Sequence, residues 1–237
     1  MDRTALPVVV IGGGPVGLAA AAELVERGVA PLILEAGSSV GASILRWGHV
    51  RLFSPWRYDI APGARRLLER SGWNAPDGDG YPTGREVVDG YLRPLAALPE
   101  IAVHLRLAHR VTAVTRLGLD KMRTSGRDEA PFAVSVRTPM GERTFLARAV
   151  IDASGTYTAP NPLGASGTFA RGEMQAAERI HYGIPDVRER DRARYAGKRV
   201  AVVGSGHSAF DVLIDLATLA PDGTTITWGV RRPFADA

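Results

Sequence analysis

The chain of 237 residues contains no cysteine. Within this sequence, that absence excludes disulfide bonds, thiolate zinc sites, redox-active dithiols and cysteine nucleophiles. Long apolar runs are also missing. Glu23 and Glu26 interrupt the longest candidate, which falls short of the ~20 apolar residues that a membrane-spanning helix needs. We therefore expect no membrane partner.

The amino terminus lacks the features of a secretory signal. Its apolar stretch stops at three glycines that begin at Gly12, and no small-residue cleavage site follows. Together with the absence of a membrane-spanning run, this predicts a soluble, cytoplasmic protein.

Lysine is scarce, because Lys121 and Lys198 are the only two in the sequence. Arginine supplies the remaining positive charge, and the formal net charge at pH 7 is +4. The arginines are scattered, whereas nucleic-acid-binding proteins concentrate basic residues on one face among aromatic side chains. We therefore expect no nucleic-acid partner and interpret the arginines as a solvated surface, with a few directed at cofactor phosphates.

A strand, a glycine turn, a helix and a second strand follow one another near the amino terminus. The β-branched run over residues 7–11 predicts a buried strand, and the pattern over residues 15–27 predicts a helix that ends at Gly28. Residues 31–35 predict the next strand. This order is typical of a right-handed parallel βαβ unit.

The turn between the first strand and its helix matches the pattern G-x-G-x-x-G in Gly12, Gly14 and Gly17, and Pro15 opens the helix. The three glycines allow a tight turn, a close approach of backbone to an anion, and close helix–strand packing. Glu35 ends the second strand, where an acid accepts a hydrogen bond from a ribose hydroxyl. The sequence therefore predicts a dinucleotide pyrophosphate site at this helix start.

Further elements are expected in the middle of the chain. Thr83 and Glu86 form a capping box at the start of a predicted helix. Residues 101–115 are interpreted as two strand-like runs. Residues 132–138 alternate apolar with smaller or polar side chains, and residues 143–155 follow after a turn. Together they predict a small antiparallel meander inserted into the parallel fold.

A second strand–turn–helix–strand pattern lies near the end of the sequence. Its turn reads GSGHSA over residues 204–209, so that Gly204 and Gly206 keep the first two glycines and alanine takes the third position. The strand that follows ends in Arg231 and Arg232 instead of an acid. Guanidinium groups bind a 2′-phosphate that an acid would repel, so we expect this turn to hold a 2′-phosphorylated dinucleotide. A surface strand end is the alternative interpretation of the arginine pair.

These residues resemble the two-dinucleotide-binding-domain flavoproteins, the superfamily of flavin-containing monooxygenases and thioredoxin-reductase-like enzymes. The first turn with Glu35 resembles their FAD site, and VIDASGTYTAPNPLG, which contains Gly155, resembles their second FAD signature. YAGKRVAVVGSGHSAFD resembles their NADPH loop. The resemblance implies an α/β fold in which a Rossmann-like FAD-binding domain, with a parallel sheet and the inserted meander, precedes a partial Rossmann-like NADPH-binding unit.

The resemblance also implies further cofactor-binding residues. Arg46 and Trp47 lie in the loop that runs past the ribityl chain and the flavin ring, and Val111 lies where the family's backbone meets the adenine. His207 and Ser208 follow the middle glycine of the second turn, beside the nicotinamide or the phosphates. A core or lid role is the alternative for Trp47, and no catalytic residue is assigned.

Three departures from the family pattern bear on the chemistry. Disulfide-reducing members need a CxxC pair, which this sequence lacks. The monooxygenases carry F-x-G-x-x-x-H between their turns, and alignment on His181 places Gln175 and Ala177 at the first two positions. The third departure is length, since no segment returns to complete the FAD domain. A truncation, a partner chain or a shortened relative would each account for it.

We expect an FAD-binding domain over residues 1–160, a linker over residues 161–196 and a partial NADPH-binding unit over residues 197–237. The expected function is an FAD-dependent oxidoreductase that uses NADPH to reduce the flavin, in its most specific form a monooxygenase with a small organic substrate. An incomplete or non-catalytic dinucleotide-binding flavoprotein fragment is the main alternative, and a dehydrogenase that places NAD in the first turn is less favoured. The sheet edges that we expect to be unpaired could pair with a second copy of the chain, so a homo-oligomer is possible.

Overall fold

The fold is that of a computed structural model, which describes residues 3–164 and 166–231. The chain forms two compact units, one up to Gly155 and one from Thr156. Arg232, one of the predicted cofactor-binding residues, lies outside the described residues. The predicted division into FAD-binding domain, linker and NADPH-binding unit concerns cofactors and stays a prediction.

Two sheets lie in the first unit. Its strands are β1 (Val8–Ile11), β2 (Pro31–Leu34), β3 (Leu105–Arg106), β4 (Arg110–Arg116), β5 (Phe132–Thr138), β6 (Gly141–Ala147) and β7 (Ala149–Asp152). One sheet has the order β3–β2–β1–β7 with every pairing parallel, and the other is the antiparallel meander β4–β5–β6. The predicted α/β class, with a parallel sheet and an inserted meander, is confirmed.

The helices of the first unit are α1 (Pro15–Glu26), α2 (Ala42–Leu45), α3 (Trp56–Asp59), α4 (Pro62–Arg70), α5 (Gly84–Val87), α6 (Arg93–Ala97) and α7 (Pro99–Ala102). A π-helical turn, Val88–Leu92, joins α5 to α6. The capping box is present, because the Glu86 amide donates to Thr83 Oγ1 over 3.2 Å and the Thr83 amide donates to Glu86 Oε2 over 2.6 Å. These bonds satisfy two backbone donors and thereby fix where α5 begins.

The interpretation of residues 101–115 as two strand-like runs is wrong at its start. Ile101 is the third residue of α7, and the strand β3 that follows contains only two residues. Pro99 explains the difference, since it occupies the first position of α7, where its fixed φ favours the helix and its missing N–H costs nothing. The second run forms β4 as expected.

The two faces of the parallel sheet pack against different layers. Val10 and Ile33 belong to a core formed with the helices. Their neighbours Val9 and Leu34 belong to a second core, formed with the antiparallel sheet. This alternation follows from the two-residue period of a strand. It explains why β1 and β2 read as continuous apolar runs, since both of their faces are covered.

The second unit contains the repeated pattern. Its elements are α8 (Arg192–Tyr195), β8 (Arg199–Val203), α9 (His207–Ala217) and β9 (Thr225–Gly229). The strands β8 and β9 pair in parallel, with Arg199 opposite Thr225. Val202 and Leu216 are buried in the core between strand and helix. The second βαβ unit is therefore present where the sequence predicts it.

The described residues contain neither a membrane-spanning helix nor a cluster of metal ligands. No helix there combines the length and the apolar character needed to cross a bilayer. No group of three or more histidine, aspartate or glutamate side chains is arranged to hold a metal ion within residues 3–164 and 166–231.

An ion-pair network links α1 to α4. Glu26 accepts from Arg66 Nε over 2.8 Å and from Arg70 Nη2 over 2.5 Å. The hydrogen bond from Arg70, followed by that from Arg66, lowers the pKa of Glu26 from its usual 4.5 to about 2. Both arginines lie on α4, so the charged form of Glu26 is favoured only when the two helices are packed.

We expect Glu26→Gln to weaken the dependence of stability on acidic pH. Because the carboxyl has the lower pKa in the folded state, the unfolded chain binds more protons below pH 4.5, and this stabilisation is lost as the pH falls toward 2. Urea unfolding between about pH 5 and pH 2.5 measures the effect. The variant should lose less stability over this interval than the original chain, whereas Glu142→Gln, at the exposed start of β6, should lose as much as the original chain.

Ala108 has a left-handed backbone. Its φ is 55°, the single positive value found at a non-glycine position among the described residues. The conformation lets the Ala108 amide donate to the Gly37 carbonyl and the His109 amide donate to the Glu35 carbonyl, each over 2.8 Å. A left-handed alanine costs about 1 kcal/mol, which these two bonds to the end of β2 offset.

Ala108→Gly should therefore raise the free energy of unfolding by about 0.5–1 kcal/mol, because glycine adopts this φ without a steric penalty. Ala20→Gly, in the middle of the helix α1, is the control and should lower the free energy of unfolding by about 0.5–1 kcal/mol. Denaturant unfolding of both variants measures the difference. Equal destabilisation by the two substitutions would contradict the assignment of strain to Ala108.

Candidate functional site

The first glycine turn connects β1 to α1 and shows a different reason for each glycine. A Cβ on Gly12 would lie 2.6 Å from the Ala153 carbonyl oxygen, and one on Gly17 would lie 1.9 Å from the Gly12 carbonyl oxygen. At Gly14, by contrast, no described atom beyond the adjacent residues lies within 4 Å of the Cβ position. The first and third glycines are thus required for packing, and the second leaves an open approach to the backbone.

The start of α1 has the properties of an anion site. Gly14 is its N-cap and Pro15 its first residue, and no described side chain caps the helix. The first backbone amides of a helix have no partner within it, and the helix dipole favours negative charge there. Open space at Gly14 and uncapped amides together fit a phosphate group.

Glu35 lies directly after β2 and braces this turn. Its Oε2 accepts from the Gly13 amide and its Oε1 from the Gly37 amide, both over 2.6 Å. The carboxylate thereby ties the glycine turn to the end of β2. Each oxygen retains a second lone pair, so the bracing leaves acceptors for the hydroxyls of a ribose.

The turn after β7 completes this edge of the parallel sheet. Asp152 accepts from the hydroxyl of Ser154 over 2.7 Å and from its amide over 3.0 Å, and these bonds lower the pKa of the Asp152 carboxyl. Gly155 follows with a φ of +69°. The approach of Ala153 to Gly12 brings this turn next to the first glycine turn.

Of the two residues predicted for the flavin loop, one lines a cavity. Trp47 is half-buried, and it lines a cavity of about 560 Å³ together with Pro15. A Cβ on Gly84 would lie 2.8 Å from the Trp47 ring, so the first residue of α5 must be small. Arg46 is exposed at the end of α2.

Val111 lies on β4, opposite Val136 and next to a register shift in the strand. Its half-buried side chain packs on the core that contains Val9 and Leu34. Leu34 is the last residue of β2, directly before Glu35. The predicted contact of Val111 with adenine stays a prediction.

The second glycine turn repeats the first with looser packing. Gly204 follows β8 with a φ of +132°, and a Cβ there would lie 3.7 Å from the Cβ of Ala209, an ordinary contact. Gly206 is the N-cap of α9 and, like Gly14, has no described atom beyond the adjacent residues within 4 Å of its Cβ position. Trp228 on β9 holds the turn, because its Nε1 donates to the Gly204 carbonyl over 2.7 Å.

A cavity of about 930 Å³ opens beside this turn within the second unit. Gly204, Ser205 and Arg231 line it. The structure therefore brings the end of β8 and the arginine after β9 to one cavity. His207 and Ser208 are exposed on the first turn of α9 and are not among the described residues that line this cavity.

Glu173 and Tyr182 also line this cavity, and no motif in the sequence marks either residue. Glu173 is 4% exposed and accepts from the amides of Leu163 and Ala170, over 2.8 and 2.7 Å, and from the Tyr182 hydroxyl over 2.5 Å. Burial would raise the pKa of Glu173, but the hydrogen bonds from Tyr182 and the two amides outweigh burial and lower it.

Glu173 thus organises part of residues 161–196, the segment for which the sequence predicts a linker. Its three donors are three to ten residues away, and no short motif marks such a set. His181, the surviving residue of the monooxygenase pattern, lines the same cavity. That histidine was the single feature of the segment that sequence reasoning could identify.

Comparison with known proteins agrees with this geometry. The family profile described as pyridine nucleotide-disulphide oxidoreductase matches residues 9–236. A ferredoxin–NADP reductase of Streptococcus agalactiae is 27% identical over 225 residues, which are 93% of this chain and 53% of that protein. Indole-3-pyruvate monooxygenase YUCCA1 of Oryza sativa is 30% identical over 217 residues, which are 88% of this chain and 44% of that protein.

Solved structures show the same fold. A double mutant of a flavin monooxygenase from Stenotrophomonas maltophilia matches with a TM-score of 0.62 and 29% identity, over 96% of this chain and 58% of that one. The bacillithiol disulfide reductase of Bacillus cereus matches with a TM-score of 0.65 and 21% identity, over 95% of this chain and 58% of that one.

The chain spans about half the length of the curated relatives that it matches. The family match, however, extends over nearly all of its residues and includes both glycine turns. The chain therefore belongs to the pyridine nucleotide-disulphide oxidoreductase family.

Proposed function

We propose that this chain carries the FAD site and the NADPH site of a flavin-dependent oxidoreductase. The observation that carries the proposal is the pair of open helix starts at Gly14 and Gly206. Each has a β-strand before it, no capping side chain among the described residues, and space where a side chain would otherwise stand. Two such starts suit two dinucleotides, one in each unit.

The first site is assigned to FAD. The backbone at Gly12, Gly14, Pro15 and Gly17 receives the pyrophosphate, and Glu35 accepts from the adenosine ribose. The turn at Gly155 faces the same edge of the sheet. Val111 lies beside the adenine, while Arg46 and Trp47 lie along the flavin end. The bracing of the turn by Glu35 supports this assignment, because it holds the amides in place before a ligand arrives.

The second site is assigned to NADPH. Gly204, Gly206, His207 and Ser208 are placed at the pyrophosphate and nicotinamide side. Arg231, which lines the same cavity as Gly204, binds the 2′-phosphate, and Arg232 is its sequence neighbour. A guanidinium and a phosphate form charge-assisted, bidentate hydrogen bonds, so an arginine here distinguishes NADPH from NADH.

When bound, FAD supplies the redox chemistry by taking a hydride from NADPH and passing electrons to an acceptor. The chain's own residues bind and orient the two cofactors. The proposed reaction is monooxygenation, in which dioxygen accepts the electrons, one of its oxygen atoms goes to a small organic substrate and the other leaves as water. The relatives named as flavin monooxygenase and indole-3-pyruvate monooxygenase support this choice, and the ferredoxin–NADP reductase supports a broader oxidoreductase.

The direct test is spectroscopic. The purified chain, supplied with FAD and desalted, should keep the visible absorbance of bound flavin and lose it when NADPH is added under nitrogen. A chain that retains no FAD and gains no thermal stability from it would favour the non-catalytic fragment. A chain that retains FAD but is not bleached by NADPH would contradict the second half of the proposal.

Gly14→Leu and Gly206→Leu should separate the two cofactors. Both glycines have negative φ values, −88° and −84°, and open surroundings, so leucine should be accommodated without strain in the empty chain. Gly14→Leu should weaken FAD binding by about 100-fold, the cost of about two charge-assisted hydrogen bonds. Gly206→Leu should weaken NADPH binding similarly and leave FAD unchanged. Fluorescence titration measures both affinities.

Gly17→Ala is the contrasting variant for this test. A Cβ at Gly17 would overlap the Gly12 carbonyl, so this substitution should lower the thermal unfolding temperature even without ligand. If Gly14→Leu destabilised the ligand-free chain as much as Gly17→Ala does, Gly14 would serve packing and the open site would not exist.

Arg231→Ala should lower the preference for NADPH over NADH. Loss of a guanidinium–phosphate interaction predicts NADPH binding weaker by about 10- to 100-fold, with NADH binding within about twofold of the original. Arg199→Ala is the matched control. Arg199 begins β8, at the end of the strand away from Gly204, and its substitution removes one positive charge of the same unit. If Arg231→Ala weakened the binding of NADPH and NADH by the same factor, Arg231 would support the fold of the unit and would not contact the 2′-phosphate.

A further inference from the structure

Part of the cavity of about 930 Å³ in the second unit comes from a segment to which the proposed function gives no role. Gly204, Ser205 and Arg231 line the part that is assigned to NADPH. Tyr182 and Glu173, which precede β8 in the chain, line the cavity as well. Tyr182 brings a phenol ring to the cavity, and Glu173 brings a carboxylate.

Tyr182 is accessible and at the same time anchored. Its side chain is 36% exposed, and its hydroxyl donates to Glu173 Oε1 over 2.5 Å. Glu173 is buried and is itself held by the amides of Leu163 and Ala170. Because a buried carboxylate without donors is costly, this set of hydrogen bonds favours one position of the tyrosine. A side chain fixed in advance loses little conformational freedom when a ligand packs on it.

Glu173 also keeps Tyr182 uncharged. The hydrogen bond to Glu173, followed by burial, raises the pKa of the Tyr182 hydroxyl above its usual 10.0. Near neutral pH the tyrosine is therefore a neutral ring whose proton is committed to the carboxylate. The face of such a ring suits a flat heteroaromatic ring, which stacks on it without a charge to be desolvated.

The position of the cavity relative to the two strands indicates which end of a dinucleotide meets this ring. Ala201 and Val203 of β8 line the cavity, whereas no residue of β9 is among the described residues that do so. Arg231, to which the 2′-phosphate is assigned, follows β9. A dinucleotide with its 2′-phosphate at Arg231 and its pyrophosphate at the turn after β8 has its nicotinamide end in the rest of the cavity, which Tyr182 lines.

We propose that the nicotinamide ring of NADPH stacks on Tyr182, and that Glu173 is a positioning residue that holds the tyrosine ring in the cavity wall. This inference deepens the proposed function, because it names the side chain that receives the reactive end of the dinucleotide. It rests on the assignment of the second site to NADPH. Glu173 acts through Tyr182 and makes no contact with the cofactor.

The test compares two ligands by calorimetry on the full chain. They are NADPH and adenosine 2′,5′-bisphosphate, which keeps the adenosine and the 2′-phosphate but has no nicotinamide. Tyr182→Leu should weaken the binding of NADPH by about tenfold, the cost of one lost stacking contact, and leave the bisphosphate within about twofold. Unchanged binding of NADPH would overturn the proposal. An equal loss for both ligands would place Tyr182 at the adenine or in the fold, and would overturn it too.

Tyr182→Phe separates the ring from its anchor. It keeps the aromatic face and removes only the hydrogen bond to Glu173, so NADPH binding should weaken by about two- to fivefold, less than in Tyr182→Leu. If phenylalanine lost as much affinity as leucine, the hydroxyl alone would matter and the stacking would be overturned.

Glu173→Gln, made alone and combined with Tyr182→Leu, tests the positioning role. Alone it should weaken NADPH binding and spare the bisphosphate. In the Tyr182→Leu background it should weaken NADPH binding no further, because a residue that acts through another has no effect once its partner is gone. Additive losses would overturn the role of Glu173. Thermal unfolding establishes that each variant is folded, and Tyr182→Phe removes the same hydrogen bond should Glu173→Gln fail to fold.

Phe169→Leu is the matched control. Phe169 is an aromatic residue of the same unit, 58% exposed and not among the described residues that line the cavity. Its substitution should change neither affinity, and a selective loss of NADPH binding there would overturn the assignment to Tyr182.

Two outcomes separate this inference from the proposed function. A chain that binds neither NADPH nor the bisphosphate would contradict the NADPH assignment, and the inference would fall with it. A chain that binds both ligands, and in which Tyr182→Leu changes neither affinity, would overturn the stacking alone and leave the NADPH assignment standing.

Discussion

The close approach of α1 to the end of β1 is the constraint on which the first unit depends. The helix can start where it does because Gly17 leaves room for the Gly12 carbonyl and Gly12 leaves room for the Ala153 carbonyl. Strand, helix and the turn after β7 therefore converge on one point. Backbone amides at the helix start are then presented at the edge of the sheet, and among the four glycines of this turn Gly14 is the one whose Cβ position has no described atom beyond the adjacent residues within 4 Å.

The second unit reaches the same arrangement with less crowding. Ala209 fits at the third position of its turn, because the distance between its Cβ and the Cβ position of Gly204 is an ordinary van der Waals contact. The indole of Trp228 holds the turn to β9. Its ring packs edge-on against that of Phe210, with 5.3 Å between the ring centroids. In this unit the backbone of the turn is packed less closely than in the first unit, and the hydrogen bond from Trp228 to Gly204 holds it in place.

Local sequence was sufficient for much of this fold. The two βαβ units, the antiparallel meander and the capping box at Thr83 each depend on residues close together in the chain, and each is present. Pro99 is also a local signal, and the strand expected at Ile101 is wrong because the proline starts a helix there that the apolar residues continue.

The features that sequence reasoning missed depend on distant partners. Glu173 is an ordinary glutamate in a charge-rich segment until Leu163, Ala170 and Tyr182 converge on it. No spacing rule connects such residues, because their proximity is produced by tertiary packing and not by the period of a helix or a strand.

The position of Glu35 has a consequence for the speed of ligand capture. Both of its oxygens already hold backbone amides, and its own carbonyl holds the His109 amide, so the turn and the end of β2 form one braced frame. A phosphate bound as proposed would meet donors that need no rearrangement, and less conformational entropy would be lost on association. Encounter by diffusion, rather than ordering of the turn, would then set the association rate at this edge of the sheet.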